Sequence, residues 1–218
     1  MDDRELILYY RARAAEYEQI YYRDKPDRRA ELEAEGKRLE RLVAGRTVLD
    51  IPCGTGYWLK RMSRTADHVV GADIAGEMVS QAKDKTVSGP VDFVLSDLYR
   101  PAFAADSFDV VALGFWFSHH PRQTYDHLYD IVTYPLRSSG LIWMIDNNPP
   151  AERPMFQSAG QDKHGNHYTR RQLKDGREFV ILKNYFSRDQ LEAVFSRRFR
   201  IERLTCGRNY WSVVLAPK

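Results

Sequence analysis

Residues 46–57 read RTVLDIPCGTGY, and this stretch narrows what the chain can become. Val48 to Ile51 is a short apolar run with Asp50 near its end. Cys53-Gly54-Thr55-Gly56 is a turn, and Tyr57 to Met62 opens a helix. A strand that enters a glycine turn and leaves as a helix brings backbone N–H groups close to anything bound there. The Asp50 carboxylate can accept from a cationic or hydroxyl-bearing group. A tight turn that binds nothing has the same local pattern, so the surroundings must decide.

Two later stretches repeat the theme. Val69 to Asp73 (VVGAD) and Val91 to Asp97 (VDFVLSD) are apolar strands that close on an acid, separated by helix-length spacers. Ligands of open α/β sheets lie across the carboxyl ends of such strands. From about Tyr10 to Met144 the chain resembles a class I S-adenosylmethionine-dependent methyltransferase of the small-molecule type. DIPCGTG matches the first motif of that family, Asp73 its ribose-binding acid and Ser96-Asp97 its adenine-side motif. Pro52 stands where the family usually has glycine. A nicotinamide dinucleotide enzyme is disfavoured, because Pro52 and the missing GxGxxG spacing leave its pyrophosphate turn unsupported.

The resemblance implies S-adenosylmethionine as cofactor, S-adenosylhomocysteine as product, and a three-layer Rossmann-like α/β fold. The expected sheet has seven mostly parallel strands, a terminal antiparallel strand and an inserted hairpin. Residues 1–45 are expected as an N-terminal helical lid, and residues 46–218 as the catalytic domain, with a flap and hairpin at 150–183. The cofactor-binding set is Asp50, Gly54, Thr55 and Gly56 from the first turn, Asp73, Ile74 and Met78 after the second strand, and Asp97 and Leu98 after the third.

The N-terminal stretch from Asp3 to Tyr22 has Leu6, Tyr9, Tyr10, Arg13, Tyr17 and Ile20 at helical spacing. Tyr10 and Tyr17 are the expected ligand-facing pair, although lid packing alone explains the same stripe. Pro26 breaks this helix, and a second helix runs to Val43. Phe108 to Phe115 is a fourth strand that leads into Trp116-Phe117-Ser118-His119-His120-Pro121. Aromatics and histidines at the carboxyl end of a central strand face the acceptor in the family, so Phe115 and Trp116 are expected in the acceptor wall. A neutral imidazole can take a proton from a hydroxyl or a protonated amine, which makes His119, then His120, the candidate catalytic bases. Either histidine can equally serve the helix start. Asp146 and Asn147 end the apolar strand from Gly140 to Ile145, and Asp146 is expected at the acceptor edge.

Tyr168 to Lys174 and Arg177 to Lys183 flank Asp175-Gly176, a hairpin signal. Its arginines can guide an anionic acceptor or simply stand as solvated edge charges. Ser187-x-x-Gln190 is a capping box. Composition bounds the rest: 218 residues with 43% hydrophobic content suit one core, and a net charge of +3 is no nucleic-acid signature. Two cysteines form no disulfide framework, so a reducing, cytoplasmic setting is expected. No long apolar run suits a membrane span, and the adjacent histidines lack partners at metal-ligand spacing, so no metal is expected.

The sequence reading is methyl transfer to a nitrogen or oxygen of a small, aromatic metabolite. The rivals are an RNA or protein methyltransferase, and a catalytically inactive cofactor-binding protein. The expected partner is the small-molecule acceptor rather than nucleic acid or a membrane, with the chain a monomer or homodimer.

Overall fold

Val48 and Leu49 are almost wholly buried, in a strand that has neighbours on both sides. Such a position selects the β-branched and aliphatic run seen in the sequence. The computed structural model describes residues 3–17, 26–85, 87–149 and 158–218. Among them the chain alternates helices α1 (Asp3–Tyr17) and α2 (Pro26–Val43), strand β1 (Thr47–Asp50), α3 (Tyr57–Met62), β2 (His68–Asp73), α4 (Gly76–Lys83), β3 (Val91–Leu95) and β4 (Phe108–Gly114). Two short 3₁₀ turns precede α5 (Tyr125–Thr133). Then follow β5 (Leu136–Asn147), β6 (Ser158–Gln161), β7 (His167–Gln172), β8 (Glu178–Leu182), α6 (Arg188–Phe195), β9 (Phe199–Cys206) and β10 (Tyr210–Pro217).

Seven strands form one sheet in the order β3-β2-β1-β4-β5-β10-β9. The first five are parallel, and β10 is antiparallel to both β5 and β9. The order reverses between β1 and β4, which puts a crevice at the carboxyl ends of those strands. Apolar clusters fill both faces. One gathers α2, α3 and α4 around Trp58 and Trp143, and the other gathers α5 and α6 around Phe117 and Trp211.

The helix α2 belongs to this core as much as to any lid. Its Leu32, Leu39 and Val43 are buried, and its Glu35 accepts hydrogen bonds from the Trp143 indole and from Arg203, both at 2.9 Å. A carboxylate at that depth persists because its oxygens are paired.

The inserted sheet has three strands, β6-β7-β8, where the sequence pattern indicated a hairpin and a polar loop. The turn at Asp175-Gly176 is as expected, with Gly176 at φ 89°. β6 escaped notice because it is short, fully exposed and irregular at Gly160, so it has no alternating apolar face. Lys183 and Asn184, just past β8, fasten the insertion to the core. Helix α1 lies on β8 through Tyr9, Leu173 and Ile181, and Glu5 accepts from the Val180 N–H at 2.9 Å. The continuation of α1 expected as far as Tyr22 and the start of the flap at 150–157 lie outside the described residues.

Candidate active site

The first turn is built by backbone geometry. Gly54 and Gly56 take φ of 54° and 78°, a region that side chains with a Cβ rarely enter. A Cβ on Gly56 would also lie 3.0 Å from the Ala82 Cβ and 3.3 Å from its Cα, so this glycine lets the turn sit against α4. The Ile51–Pro52 peptide is cis. At the end of β2, Asp73 holds the loops together: its Oδ2 accepts from the Gly54 N–H and its Oδ1 from the Ala75 N–H, both at 2.9 Å. Burial nonetheless pushes the Asp73 carboxyl up, against those hydrogen bonds.

Asp50 ends β1 only 1% exposed, and its Oδ2 has no hydrogen-bond partner. Burial, then the neighbouring Asp73, raise its pKa well above the usual carboxylate range. A buried oxygen without a donor is destabilising and suits a donor brought by a ligand. The end of β3 has a second such atom, the Ser96 hydroxyl. Asp97 accepts from the Tyr99 N–H through Oδ1 at 2.9 Å, closing a turn that presents Tyr99.

These loops open into one cleft of about 1020 Å³ of empty space, mouth included. Asp50, Asp73, Ser96 and Asp97 line its polar side. Tyr10, Tyr57, Trp58, Phe115 and Trp116 line its aromatic side. Phe115 has a φ of 59°, an uncommon conformation for an aromatic residue, at the position where β4 gives way to the next loop. Its N–H donates to the Ile145 carbonyl at 2.8 Å, and its ring meets those of Trp58 and Tyr210 at 6.1 and 5.7 Å. Those contacts hold a backbone that would otherwise relax.

Two tyrosines on the cleft wall are each backed by a histidine. The Tyr10 hydroxyl is 2.8 Å from His119 Nε2, and His119 Nδ1 is 2.6 Å from the Leu182 carbonyl. A carbonyl only accepts, so Nδ1 carries the proton and Nε2 accepts from Tyr10. In the same way, the Tyr99 hydroxyl donates to His120 Nδ1 at 2.7 Å, while His120 Nε2 donates to the Thr124 carbonyl at 3.0 Å. Burial dominates the titration of both imidazoles. It lowers His119 to about 3, with Lys183 adding to the effect, and lowers His120 to about 4.

Residues 48–140 match the family model for a methyltransferase domain. The structures described as the DhpI–SAH and DhpI–SAM–HEP complexes align with TM-scores of 0.74 and 0.73 at 25% identity. Both alignments cover 98% of this chain, and they cover 96% and 97% of those chains. Less than half of the chain matches the methyltransferase-domain model, and nearly its whole length shares the fold of those two structures. The PH0226 protein from Pyrococcus horikoshii OT3 shares the fold at 19% identity, with a TM-score of 0.72 over 93% of this chain and 99% of its own. A demethylmenaquinone methyltransferase from Staphylococcus aureus (strain MRSA252) is 29% identical over 119 residues, 52% of this chain and 47% of the relative. The chain thus spans about half the length of the curated relatives it matches.

Within this methyltransferase fold, most of the expected residues converge. Asp50, Gly54, Thr55, Asp73, Ile74 and Met78 lie on the cleft, as do Asp97 and Leu98, and on the aromatic side Tyr10, Phe115 and Trp116. Gly56 supports the turn from behind. The Tyr17 side chain lies outside the described residues. Three expectations need correction. His119 and His120 are buried behind Tyr10 and Tyr99 and do not line the cleft. Asp146 is 0% exposed, and its carboxylate is spent on the Lys183 ammonium at 2.9 Å and the Ser118 N–H at 2.9 Å. Both shifts have one cause: the insertion covers the end of β5 and the loop after β4. Tyr99, Tyr57 and Trp58 were not singled out, although Tyr99 follows the adenine-side motif by two residues. Among the described residues, no cluster of histidine, cysteine or acidic side chains could hold a metal ion.

Proposed function

We propose that this chain transfers a methyl group from S-adenosylmethionine to a nitrogen or oxygen of a small, aromatic metabolite. The observation that carries the reading is one cleft with two unlike ends: unpartnered buried oxygens on Asp50 and Ser96 at one, aromatic rings at the other. The cofactor fits this lining. Asp73 keeps lone pairs for vicinal ribose hydroxyls, Asp97 and Ser96 for the adenine side, and Asp50 for a cationic or hydroxyl donor. When bound, S-adenosylmethionine supplies a methyl on sulfonium with a neutral thioether as leaving group, so transfer is a direct in-line displacement without a covalent enzyme intermediate.

The chain's own contribution is then orientation and exclusion of water. Phe115 and Trp116 form a wall whose faces suit both a flat acceptor and positive charge. The Tyr10 hydroxyl donates to His119, which fixes the direction of its O–H and holds the ring in the cleft wall against the acceptor. His119 is a positioning residue in this account. With its pKa near 3 it stays neutral at physiological pH, so a proton lost by the acceptor leaves by another route.

The curated relatives named above support a ring-sized acceptor, since their name specifies a quinone. Among the described residues, no helix is long and apolar enough to cross a membrane. Cys53 and Cys206 are both unpaired, which supports a reducing, cytoplasmic setting. The test is methyl transfer from labelled cofactor to a panel of phenols and aromatic amines, beside bulk RNA and a protein mixture. Transfer to the small panel alone supports the proposal. Transfer to RNA or protein alone overturns it, and cofactor binding without transfer to any acceptor favours the inactive binding protein.

A further inference from the structure

Phe115 occupies a backbone conformation that suits glycine better than an aromatic residue. Its φ of 59° lies in the left-handed region, where a side chain with a Cβ is strained. Glycine would relieve that strain and keep the hydrogen bond that this N–H gives the Ile145 carbonyl at 2.8 Å. What glycine could not supply is the ring. The strain at this position is therefore tied to where the ring goes.

The ring is part of the cleft wall and only 7% exposed. It meets Trp58, another lining residue, with 6.1 Å between ring centroids. Trp58 has little room to retreat. The wholly buried Trp143 packs against it at 5.0 Å. Its pyrrole edge also lies against the Gly114 backbone, where a Cβ would come 2.5 Å from Trp58 Cδ1. Glycine at 114 thus gives the indole its place, and the wall on that side is closely fitted.

A second neighbour of the Phe115 ring is Tyr210, met edge to face with 5.7 Å between centroids. Tyr210 is 6% exposed and does not line the cleft. Helix α2 holds it at both ends. Arg28 donates to its hydroxyl at 2.9 Å, and Glu31 accepts from its N–H at 3.3 Å. Arg28 also donates to Asn147 Oδ1 at 3.3 Å, at the end of β5. A ring packed between Trp58 and a tyrosine fixed in this way has little freedom to swing aside for a larger ligand.

We propose that the Phe115 ring is the size gauge of the acceptor site, and that Tyr210, outside the site, is the positioning residue that keeps the ring in place. The gauge rests on the proposed methyltransferase reading and adds to it the dimension that is selected, the extent of the acceptor's ring system towards Tyr210. With the Phe115 ring removed, the space between Trp58 and Tyr210 opens to the cleft and takes a second fused ring.

Phenol and naphthol, titrated by calorimetry into the protein loaded with S-adenosylhomocysteine, read the gauge without requiring turnover. The preference for naphthol over phenol should rise about tenfold in both Phe115→Gly and Phe115→Ala, since both lack the ring. Phe115→Leu, which keeps more of the packing, should lie between them and the wild type. Stability should separate the first two: Phe115→Gly should unfold at higher urea than Phe115→Ala, because only glycine relieves the backbone. Tyr210→Leu should raise the preference about threefold by loosening the ring. Tyr210→Phe, which keeps the ring and loses the hydroxyl, should retain the wild-type preference. Both Tyr210 variants should bind S-adenosylhomocysteine within about twofold of the wild type. An unchanged preference in the Phe115 variants, a Phe115→Ala protein as stable as Phe115→Gly, or no heat from either ring in any of the proteins overturns the gauge. A preference that moves in the Phe115 variants and not in Tyr210→Leu overturns the positioning role of Tyr210. Absence of cofactor heat in the wild type overturns the underlying reading instead.

Discussion

The two ends of the cleft are made in opposite ways. The Asp50–Asp97 end comes from three consecutive strand–turn units, and its contacts run mostly between backbone and carboxylate, as where Gly54 and Ala75 both donate to Asp73. The Tyr10–Trp116 end is assembled from segments far apart in the chain. Tyr10 meets His119 across 109 residues, and Lys183 reaches Asp146 across 37. The first end can form wherever the core sheet forms. The second needs the insertion and α1 seated on that sheet, so substitutions at the two ends should separate cofactor affinity from acceptor handling.

The largest expected effect lies under the second end. Lys183→Met leaves Asp146 fully buried without its cation, which should destabilise the fold by about 3–5 kcal/mol in urea titrations. Lys183→Met with Asp146→Leu should recover much of that loss, because the penalty belongs to the stranded charge. A double variant as unstable as the single one would show that the pair does more than compensate itself.

Asp73→Ala tests the first end. It removes the acceptor of two loop N–H groups and the proposed ribose anchor, so S-adenosylmethionine affinity should fall by about 2–3 kcal/mol. The acceptor KM at saturating cofactor should stay within about twofold. A change confined to acceptor KM would reverse the assignment of the ends.

Tyr10→Phe should lower acceptor kcat/KM about tenfold, the loss of about one hydrogen bond, with cofactor affinity unchanged. His119→Ala should lower it similarly, and His119→Gln, which can still accept from Tyr10, should restore part of it. No limb of the rate–pH profile near 6.5 should belong to His119, since it remains neutral down to about 3. A wild-type limb near 6.5 that vanishes in both His119 variants would restore it as a base.

The smallest effect is on acid stability. The folded pKa of His120 lies near 4, below its unfolded value of about 6.5, so its neutral burial favours the fold fully above pH 6.5. As pH falls from 6.5 towards 4, the unfolded chain binds the proton first and this advantage shrinks. The stability difference between wild type and His120→Asn, measured by chemical denaturation, should narrow over that window. A difference that is constant with pH would mean the imidazole titrates normally.

The same contrast explains what the sequence revealed. Asp50, Gly54 and Asp73 were legible because each sits at a fixed place in a local strand–turn–helix pattern, where burial and φ follow from a few neighbours. His119 and His120 misled because proximity in sequence to Trp116 says nothing about what later covers them. The covering element, β8 with Lys183 and Asn184, comes more than sixty residues afterwards. Asp146 was misplaced for the same reason: a carboxylate at a strand end looks available until Lys183 arrives on it. Tyr99 was within reach, since Asp97 closes a turn onto its N–H, but an aromatic after an acid has no spacing rule to mark it.

Calorimetry of S-adenosylmethionine and S-adenosylhomocysteine on the wild-type protein, repeated on Asp73→Ala, tests the central claim most directly. The account predicts one-to-one heats for both ligands in the wild type and at least thirtyfold weaker binding in the variant, the fold-change equal to about 2 kcal/mol. No heat from either ligand in the wild type, or equal affinity in the variant, would contradict it.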